Sequence, residues 1–386
     1  MITYVRRLRA RDPQEQGRAA TPLELLTDLC YVVAIAQAAT QLHHATTEGH
    51  LASALLPFGM VFFAIWWAWL NFTWFSSAYD NDDVIHRLLT ILQILGSLVL
   101  AAGVEDVFAG DLTLVVIGYV IMRVGLLAQW LRAAHDDPTH RATTLRYALG
   151  IALVQVAWVG SLFVPREAAL WAFLILIIAE FSVPILAERH QPTTWHAHHV
   201  AERYSLLFVI VLGETILSTT VAIQQGLSGD RLVPAIGLVV AGGVLIVFSL
   251  WWLYFGRSGG EALECAHGEP AGEYVWGFGH YFIFAAGAAI GAGLAARVGY
   301  WTGEGENIGT ASGLLVTVPV AILLVAIWLL LVRQHDDTVR TWLPFALATV
   351  ATLASNLTPY PELITGVVCA ALVAVDLLLR PDVSRR

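Results

Sequence analysis

Lysine is missing from this chain: all 21 basic residues among its 386 are arginine, a bias of genome composition and not of mechanism. Charge of any kind is scarce. Only 13% of residues are charged and 57% are hydrophobic, with a mean hydropathy of +0.68. A soluble domain carries about 25% charged residues, so composition excludes that class and points to an integral membrane protein. Cysteine is nearly absent too. Cys30, Cys265 and Cys369 form no CxxC or other ligand spacing, and their odd number argues against a disulfide framework. No HExxH, no EF-hand spacing, no nucleotide motif and no nucleophile–base pair is present, so neither an enzyme nor a bound metal or cofactor is expected. The net charge of -9 says little about partners, because the charges are sorted loop by loop. The expected partners are the lipid bilayer and a small solute or ion of unknown identity, with no nucleic acid; the oligomeric state is not legible.

What is present is a succession of apolar runs of about 20 residues, the transmembrane-helix signal. They predict an all-α polytopic fold with twelve spans, at 21–43, 51–75, 84–104, 111–133, 142–163, 166–187, 199–225, 231–255, 273–299, 311–332, 338–356 and 362–380. The first run contains Glu24 and Asp28, which a cleavable signal should not, so it reads as a retained helix. With the N-terminus inside, seventeen arginines fall inside and only Arg166, Arg231 and Arg297 outside, while Arg123 lies within the fourth span. That asymmetry predicts N-in, C-in orientation in the bacterial inner (cytoplasmic) membrane.

The expected organisation is a basic cytoplasmic segment 1–20, a six-helix half 21–187, a linker 188–198, a second half 199–380 and a cytoplasmic tail 381–386. Trp66-Trp67 is echoed by Trp251-Trp252, and Asp28 by Glu214, at offsets of 185 and 186. Six helices per half would make such a repeat parallel.

The stretch His196–Ser218 carries the densest polar pattern. Three histidines, Glu202 and Arg203 run into nearly unbroken apolar sequence, and Glu214 then appears where the span should be driest. An unpaired ionisable group there costs roughly 3 kcal/mol or more. On a helix, Arg203 and Glu214 fall on nearly the same face with roughly 16 Å of rise between them. His199 and Glu202 belong to a polar cluster suited to interfacial hydrogen bonding, with metal binding as the sharper alternative.

In the first span Thr21 is a candidate N-cap, with Pro22 at the first helical position and Glu24 in the first turn. Asp28, one turn deeper, is not explained by a cap; it reads as a pathway group, a structural ion pair or a solvent contact. Gln37 and Gln41 extend the polar stripe. Arg123 requires a carboxylate, with Asp28, Glu180 and Glu214 the candidates. Glu180 lies four residues before Pro184, and a carbonyl freed there could join it in coordinating a cation. Trp67, Asn71 and Trp74 share a face of the second span and suit an interfacial aromatic belt; the following Asp80, Asp82 and Asp83 could recruit a cation. Gly279, Gly287, Gly291 and Gly293 in the ninth span form a close-packing surface, with His280 as hydrogen-bonded structure within it.

Three stretches together carry a family likeness: Thr21-Pro-Leu-Glu24-Leu-Leu-Thr-Asp28-Leu, Trp66-Trp67-Ala-Trp69-Leu-Asn71-Phe-Thr-Trp74-Phe, and His199-Val-Ala-Glu202-Arg203 through Gly213-Glu214. The chain resembles the bacterial low-temperature-requirement protein A (LtrA) family over almost its whole length. Glu24, Asp28, Trp67, Asn71, His199, Glu202, Arg203, Gly213 and Glu214 match the family's motif positions. Thr27, Cys30, Tyr31 and Ser205 depart from it without removing an ionisable group. The resemblance implies an inner-membrane protein linked by name to growth in the cold, a phenotype and not a mechanism. The first span is also distantly similar to the Phe-Ser-Asp motif of the lysosomal potassium channel family, built from six-helix units; Asp28 is the matching position.

Three functional classes follow. The first is an ion-coupled secondary transporter or permease with Glu24, Asp28, Glu180 and Glu214 as its ion or proton pathway and Arg123 and Arg203 as charge partners. The second is an ion channel lined by the first and seventh spans, where Ala34, Ala36 and Ala38 suit a constriction. The third is a non-transporting sensor or lipid-acting membrane protein.

Overall fold

In hydrocarbon each backbone N–H and C=O must find its partner within the same segment, so apolar runs of this length fold as helices. The computed structural model describes residues 5–227, 234–267, 271–303 and 308–379, with the side chains of residues 222 and 225–227 left aside. The basic segment is therefore seen from Val5, and the predicted tail 381–386 and Arg231 lie outside the described residues.

The helices are α1 (Pro22–Thr47), α2 (Leu51–Tyr79), α3 (Val84–Ala102), α4 (Val104–Phe108), α5 (Thr113–Asp136), α6 (Arg141–Ser161), α7 (Arg166–Glu188), α8 (Ala197–Leu227), α9 (Pro234–Phe255), α10 (Gly259–His267), α11 (Gly272–Thr302), α12 (Gly309–Ile327), α13 (Val339–Ser355) and α14 (Pro361–Leu379). A π-helical turn, Trp328–Val332, continues α12. Each of the twelve predicted spans coincides with one helix. Eleven helices are long and apolar enough to cross a membrane. The exception is α13, whose 17 residues extend about 25 Å, the short end of what a bilayer requires. Its first turn is set by a capping box between Thr338 and Thr341. The extra helices, α4 and α10, have 5 and 9 residues and occupy connections.

Packing divides the chain into two compact units: the chain up to Ala34 with Phe63–Val200, and Ile35–Phe62 with the chain from Ala201. The change of unit at Val200 follows the predicted linker closely, whereas residues 35–62 of α1 and α2 group with the later helices.

In the first unit α5 packs along α3 and α6, and α6 along α7. The α3–α5 crossing depends on two glycines that face each other. A Cβ on Gly96 would lie 2.7 Å from the Gly118 carbonyl oxygen, and one on Gly118 would meet the backbone of Leu100. Aromatic rings pack elsewhere in the unit. Phe63, Trp67, Phe173 and Phe181 pack edge to face, and Trp130 stacks on Tyr147 at 4.1 Å.

In the second unit α12 packs along α11 and α13, α13 along α14, and α14 along α9. The small-residue surface predicted in the ninth span is the reason α11 can come so close. A Cβ on Gly293 would lie 2.5 Å from the Leu315 carbonyl oxygen of α12, and 89% of the apolar window of α11 is buried. The two tryptophan pairs of the candidate repeat have different environments. Trp66 and Trp67 are buried, while Trp251 and Trp252 are 42% and 45% exposed.

Gly96→Val should force α3 and α5 apart. The overpacking cost is about 1–3 kcal/mol, which a lowered thermal midpoint in detergent would register. An unchanged midpoint would mean the crossing tolerates a side chain.

Candidate functional site

A carboxylate offers about four lone-pair directions to donors, and in the first unit one buried acid has all four taken. Glu180, in the middle of α7, is reached from three other helices. Trp67 Nε1 of α2 and Arg123 Nη2 of α5 donate to its Oε2 at 2.8 and 2.5 Å. Tyr119 Oη of α5 and Trp158 Nε1 of α6 donate to its Oε1 at 2.5 and 3.1 Å. Arg123 and Glu180 are both 1% exposed. Of the three acids proposed for Arg123, Glu180 is thus the partner. The pairing uses one nitrogen and is not bidentate; the Tyr119 ring lies 5.0 Å beneath the guanidinium and covers part of the rest.

This geometry corrects two expectations. Glu180 has no lone pair left for a passing ion, so it and the carbonyl loosened by Pro184 do not form a cation site. Trp67 is fully buried and bound to Glu180, so it is not part of an interfacial belt. Asn71 is likewise buried, its side-chain amide donating to the Trp67 carbonyl at 2.8 Å.

A second buried pair lies at the start of α1 and the start of α8. Thr21 and Glu24 form a reciprocal cap: the Thr21 backbone N–H and hydroxyl donate to Glu24 Oε2 at 2.8 and 3.0 Å, and the Glu24 N–H returns to the Thr21 hydroxyl at 3.3 Å. His199 Nε2 stands 3.4 Å from both Glu24 oxygens. Its Nδ1 is buried with no hydrogen-bond partner among the described residues. One turn deeper on α1, Asp28 is fully buried and accepts from Trp69 Nε1 at 2.7 Å. Glu24 and Asp28 therefore share a dry environment with His199 at its edge. Gln37, expected to continue this polar stripe, instead points outward and is exposed.

The remaining predicted cluster disperses. His196 is a clamp: its Nε2 donates to the Glu15 carbonyl at 2.9 Å and its Nδ1 accepts from the His199 backbone at 3.2 Å. His198 is exposed and Glu202 half-buried. In the second unit Arg203 is fully buried, whereas Glu214 is half-buried with Ser218 Oγ donating to it at 3.1 Å. The two residues predicted to share a face of α8 thus differ in depth. Gly213 faces open space.

The acids after α2 do not gather around a cation either, because each has its own partner. Asp80 faces His86 at 3.5 Å, Asp82 takes a forked contact from Arg87 at 2.8 and 2.7 Å, and Asp83 binds Arg132. Asp83 is saturated as Glu180 is. As N-cap of α3 it accepts from the His86 N–H at 2.8 Å, and it also takes the Arg6 N–H at 2.8 Å and two nitrogens of Arg132. The basic segment is thereby tied down. Leu8 N–H reaches Asp136 at 3.0 Å, Arg11 N–H reaches the Ala78 carbonyl at 2.9 Å, and Arg18 reaches the Ser76 carbonyl at 2.9 Å.

Sequence reasoning missed Tyr119, Trp158 and Trp69 as ligands of buried acids. Tyr119 and Arg123 stand four residues apart on one helix face, and a mid-span indole N–H needs an acceptor; those were the available signals. Arg297, predicted outside, is buried at 2% within α11. It donates from Nε to Glu362 of α14 at 2.8 Å and from Nη2 to the Pro359 carbonyl at 2.7 Å. His280, as expected, is hydrogen-bonded structure, its Nδ1 donating to the Trp276 carbonyl at 2.7 Å.

Helices of this length and apolarity, with ion pairs buried in their cores, define a polytopic α-helical membrane protein. The chain belongs to the bacterial low temperature requirement A protein (LtrA) family, whose model matches residues 19–375. It is 26% identical over 285 residues to a protein of Rhizobium meliloti (strain 1021) named Uncharacterized protein RA0937, covering 70% of this chain and 67% of that one. No solved structure matches.

Two predictions follow from the saturated acids. Arg123→Leu strands the Glu180 charge and should cost about 3–5 kcal/mol, measurable as a lower unfolding midpoint in detergent. Adding Glu180→Gln to that variant should recover part of it, and equal stability of Arg123→Leu and the parent would refute the pairing. The second prediction concerns pH. Burial alone raises the Asp83 carboxyl, but Arg132 and the backbone donors of Arg6 and His86 outweigh it and hold the group down at about 2. A depressed carboxylate contributes stability that is full above its unfolded pKa, about 3.9, and is lost as pH falls through the folded one. Melting midpoints should therefore drop between about pH 4 and 2, less so in Asp83→Asn; identical acid limbs would refute the assignment.

Proposed function

We propose that the protein is an ion-coupled secondary transporter or permease of the bacterial inner membrane, without catalytic activity, in which Glu24 and Asp28 exchange protons. The observation that supports this reading is the contact of His199 with Glu24, with Asp28 one turn deeper. An imidazole passes a proton between its two ring nitrogens. His199 has one nitrogen at Glu24 and the other without a hydrogen-bond partner among the described residues, which suits transfer onto the carboxylates of α1. Ionisable groups at such depth in membrane helices mark ion and proton pathways. Glu180, saturated by four donors, is the fixed anchor beside them, and Arg123 is its charge partner. Glu214, half-buried on α8, is assigned to the same class of exchanging group in the second unit, with Arg203 and Glu202 preceding it on the same helix, while Trp67 and Asn71 belong to the surroundings of Glu180.

The reading includes two parallel six-helix repeats. Counting only the long helices, the third packs on the fourth, the fourth on the fifth and the fifth on the sixth in the first unit. The ninth to twelfth repeat that order in the second. It also includes both termini on the cytoplasmic side. Burial of Arg297 in an ion pair removes one of the few basic residues counted against that orientation. A cysteine at Gln191 should react with an impermeant reagent from the cytoplasmic side, and labelling from the periplasmic side would overturn the orientation.

Function is tested in proteoliposomes containing a trapped pH dye, with sodium or potassium gradients imposed. The expected result is proton movement that saturates with cation concentration and falls to the protein-free background in Asp28→Asn. Asparagine keeps an oxygen for the Trp69 indole, and the variant's thermal midpoint in detergent checks that it is folded before transport is read. Non-saturating conductance would make the protein a channel, and silence with both cations would overturn transport of either.

A further inference from the structure

The second unit contains a cavity of about 220 Å³ at one end of its helices, lined by residues that contribute nothing to the buried acids of α1. Its walls come from Arg257 just after α9, the turn between α12 and α13, the first half of α13 and the second half of α14. Arg257, His335, Asp336, Arg340 and Leu379 lie at or just beyond helix ends, where hydrocarbon gives way to headgroups in a spanning bundle. The π turn shapes one wall. The Arg333 N–H bonds to the Trp328 carbonyl at 2.8 Å, a five-residue step that widens the helix just before His335 and Asp336.

The charges in the lining sort into a neutralised pair and a separated one. Arg257 is forked onto Asp376 at 2.7 and 3.3 Å and is thereby neutralised. Arg340 and Asp336 also face the cavity, one of each sign, and neither side chain has a hydrogen bond or ion pair among the described residues. Asp336 is held in place by its backbone, whose carbonyl accepts from the Thr341 hydroxyl at 2.8 Å. His335 also lines the cavity but is engaged elsewhere, its Nδ1 donating to the Leu331 carbonyl at 2.8 Å and its Nε2 facing Glu261 at 3.5 Å; beside it and Thr341 the lining is apolar, from Pro344, Phe345, Leu372 and Leu379. Beside it, Trp342 and Leu343 on α13 and Leu378 on α14 are exposed, at 41%, 40% and 84%, which is the lipid-facing rim of the opening.

We propose that this cavity binds the head group of a zwitterionic phospholipid of the phosphoethanolamine type, with phosphate on Arg340 and ammonium on Asp336. The lining sets the ligand class by charge. A ligand carrying only negative charge would bring Asp336 against an anion, and a simple cation would leave Arg340 unmatched, so a neutral ligand with two poles fits best. A primary ammonium can donate hydrogen bonds to Asp336, which a quaternary choline cannot. The volume is below the roughly 300 Å³ at which drug-sized ligands begin, so it accommodates a head group and not a whole lipid. Phe345, Leu372 and Leu379 take the glycerol end, and the acyl chains leave over the exposed faces of Trp342, Leu343 and Leu378. Basic pockets between membrane helices are established sites for anionic headgroups; here Asp336 turns the preference from anionic to zwitterionic. The proposal is independent of transport.

The test is thermal unfolding of the full chain in detergent, with matched amounts of phosphatidylethanolamine, phosphatidylcholine or phosphatidylglycerol, or of soluble glycerophosphoethanolamine. A ligand that binds only the folded state raises the midpoint with its concentration. Phosphatidylethanolamine should raise it more than the other two lipids. Asp336→Asn should abolish its advantage over phosphatidylcholine, and Arg340→Ala should weaken all three. Both residues lie outside any ion pair, so the variants should fold with parental midpoints in detergent alone. Equal shifts for all lipids, or a larger shift with phosphatidylglycerol, would overturn the proposal. A full shift with soluble glycerophosphoethanolamine would overturn the lipid as the ligand's source.

Discussion

A charge buried among apolar helices must have its hydrogen-bonding capacity filled, because the cost of leaving it unfilled exceeds what any single apolar contact returns. The arrangement of the first unit follows from that constraint at Glu180. Its two oxygens draw one donor from α2, one from α6 and two from α5, so one carboxylate sets the mutual positions of four helices. Shifting any of them by a turn would leave a donor or the acid itself unpartnered. The same solution recurs at Asp83, which joins the basic segment, α3 and α5. In the second unit Arg297 and Glu362 do it between α11 and α14. These pairs need not add net stability relative to apolar residues. Their effect is to make one packing register acceptable and its neighbours costly.

Close approach is the second requirement, and it is met by omission of side chains. Where α3 crosses α5, and where α11 crosses α12, a Cβ on the glycine would meet backbone of the opposing helix. Without a hydrophobic driving force between helices in lipid, such contacts rely on van der Waals packing and on interhelical hydrogen bonds. Glycines and saturated acids therefore act together: the first allow the backbones to approach, and the second determine which residues face each other when they do.

Against that background the polar groups of α1 stand out chemically. Glu24 closes a helix cap and also meets His199, and Asp28 takes an indole N–H. An acid kept for exchange must be able to change its protonation without the fold losing an anchor. An acid kept as an anchor must not titrate. In the proposed reading the first unit contains both kinds, with Glu180 as the anchor. The cavity at the turn after α12 is a separate polar feature of the second unit.

Most of the architecture was legible in the chain itself. Apolar run length determines where helices form, because backbone satisfaction in hydrocarbon is a local requirement, and each predicted span has its helix. The Thr21–Glu24 cap and the packing role of the α11 glycines were readable for the same reason: both rest on spacing along one helix. What the chain could not determine was partnership between helices. Arg123 had three candidate acids, and only the tertiary structure selected Glu180; the tryptophans at 67 and 158 and Tyr119 became its ligands through crossings no periodicity encodes. Arg297 was counted only by membrane side, and its partner Glu362, 65 residues away, is set by the packing of α11 and α14. Glu214 looked deep because its neighbours in sequence are apolar, and it is half-buried because burial depends on which face of α8 the other helices cover. Local sequence determines helices; the filling of buried charges across helices is a property of the folded assembly.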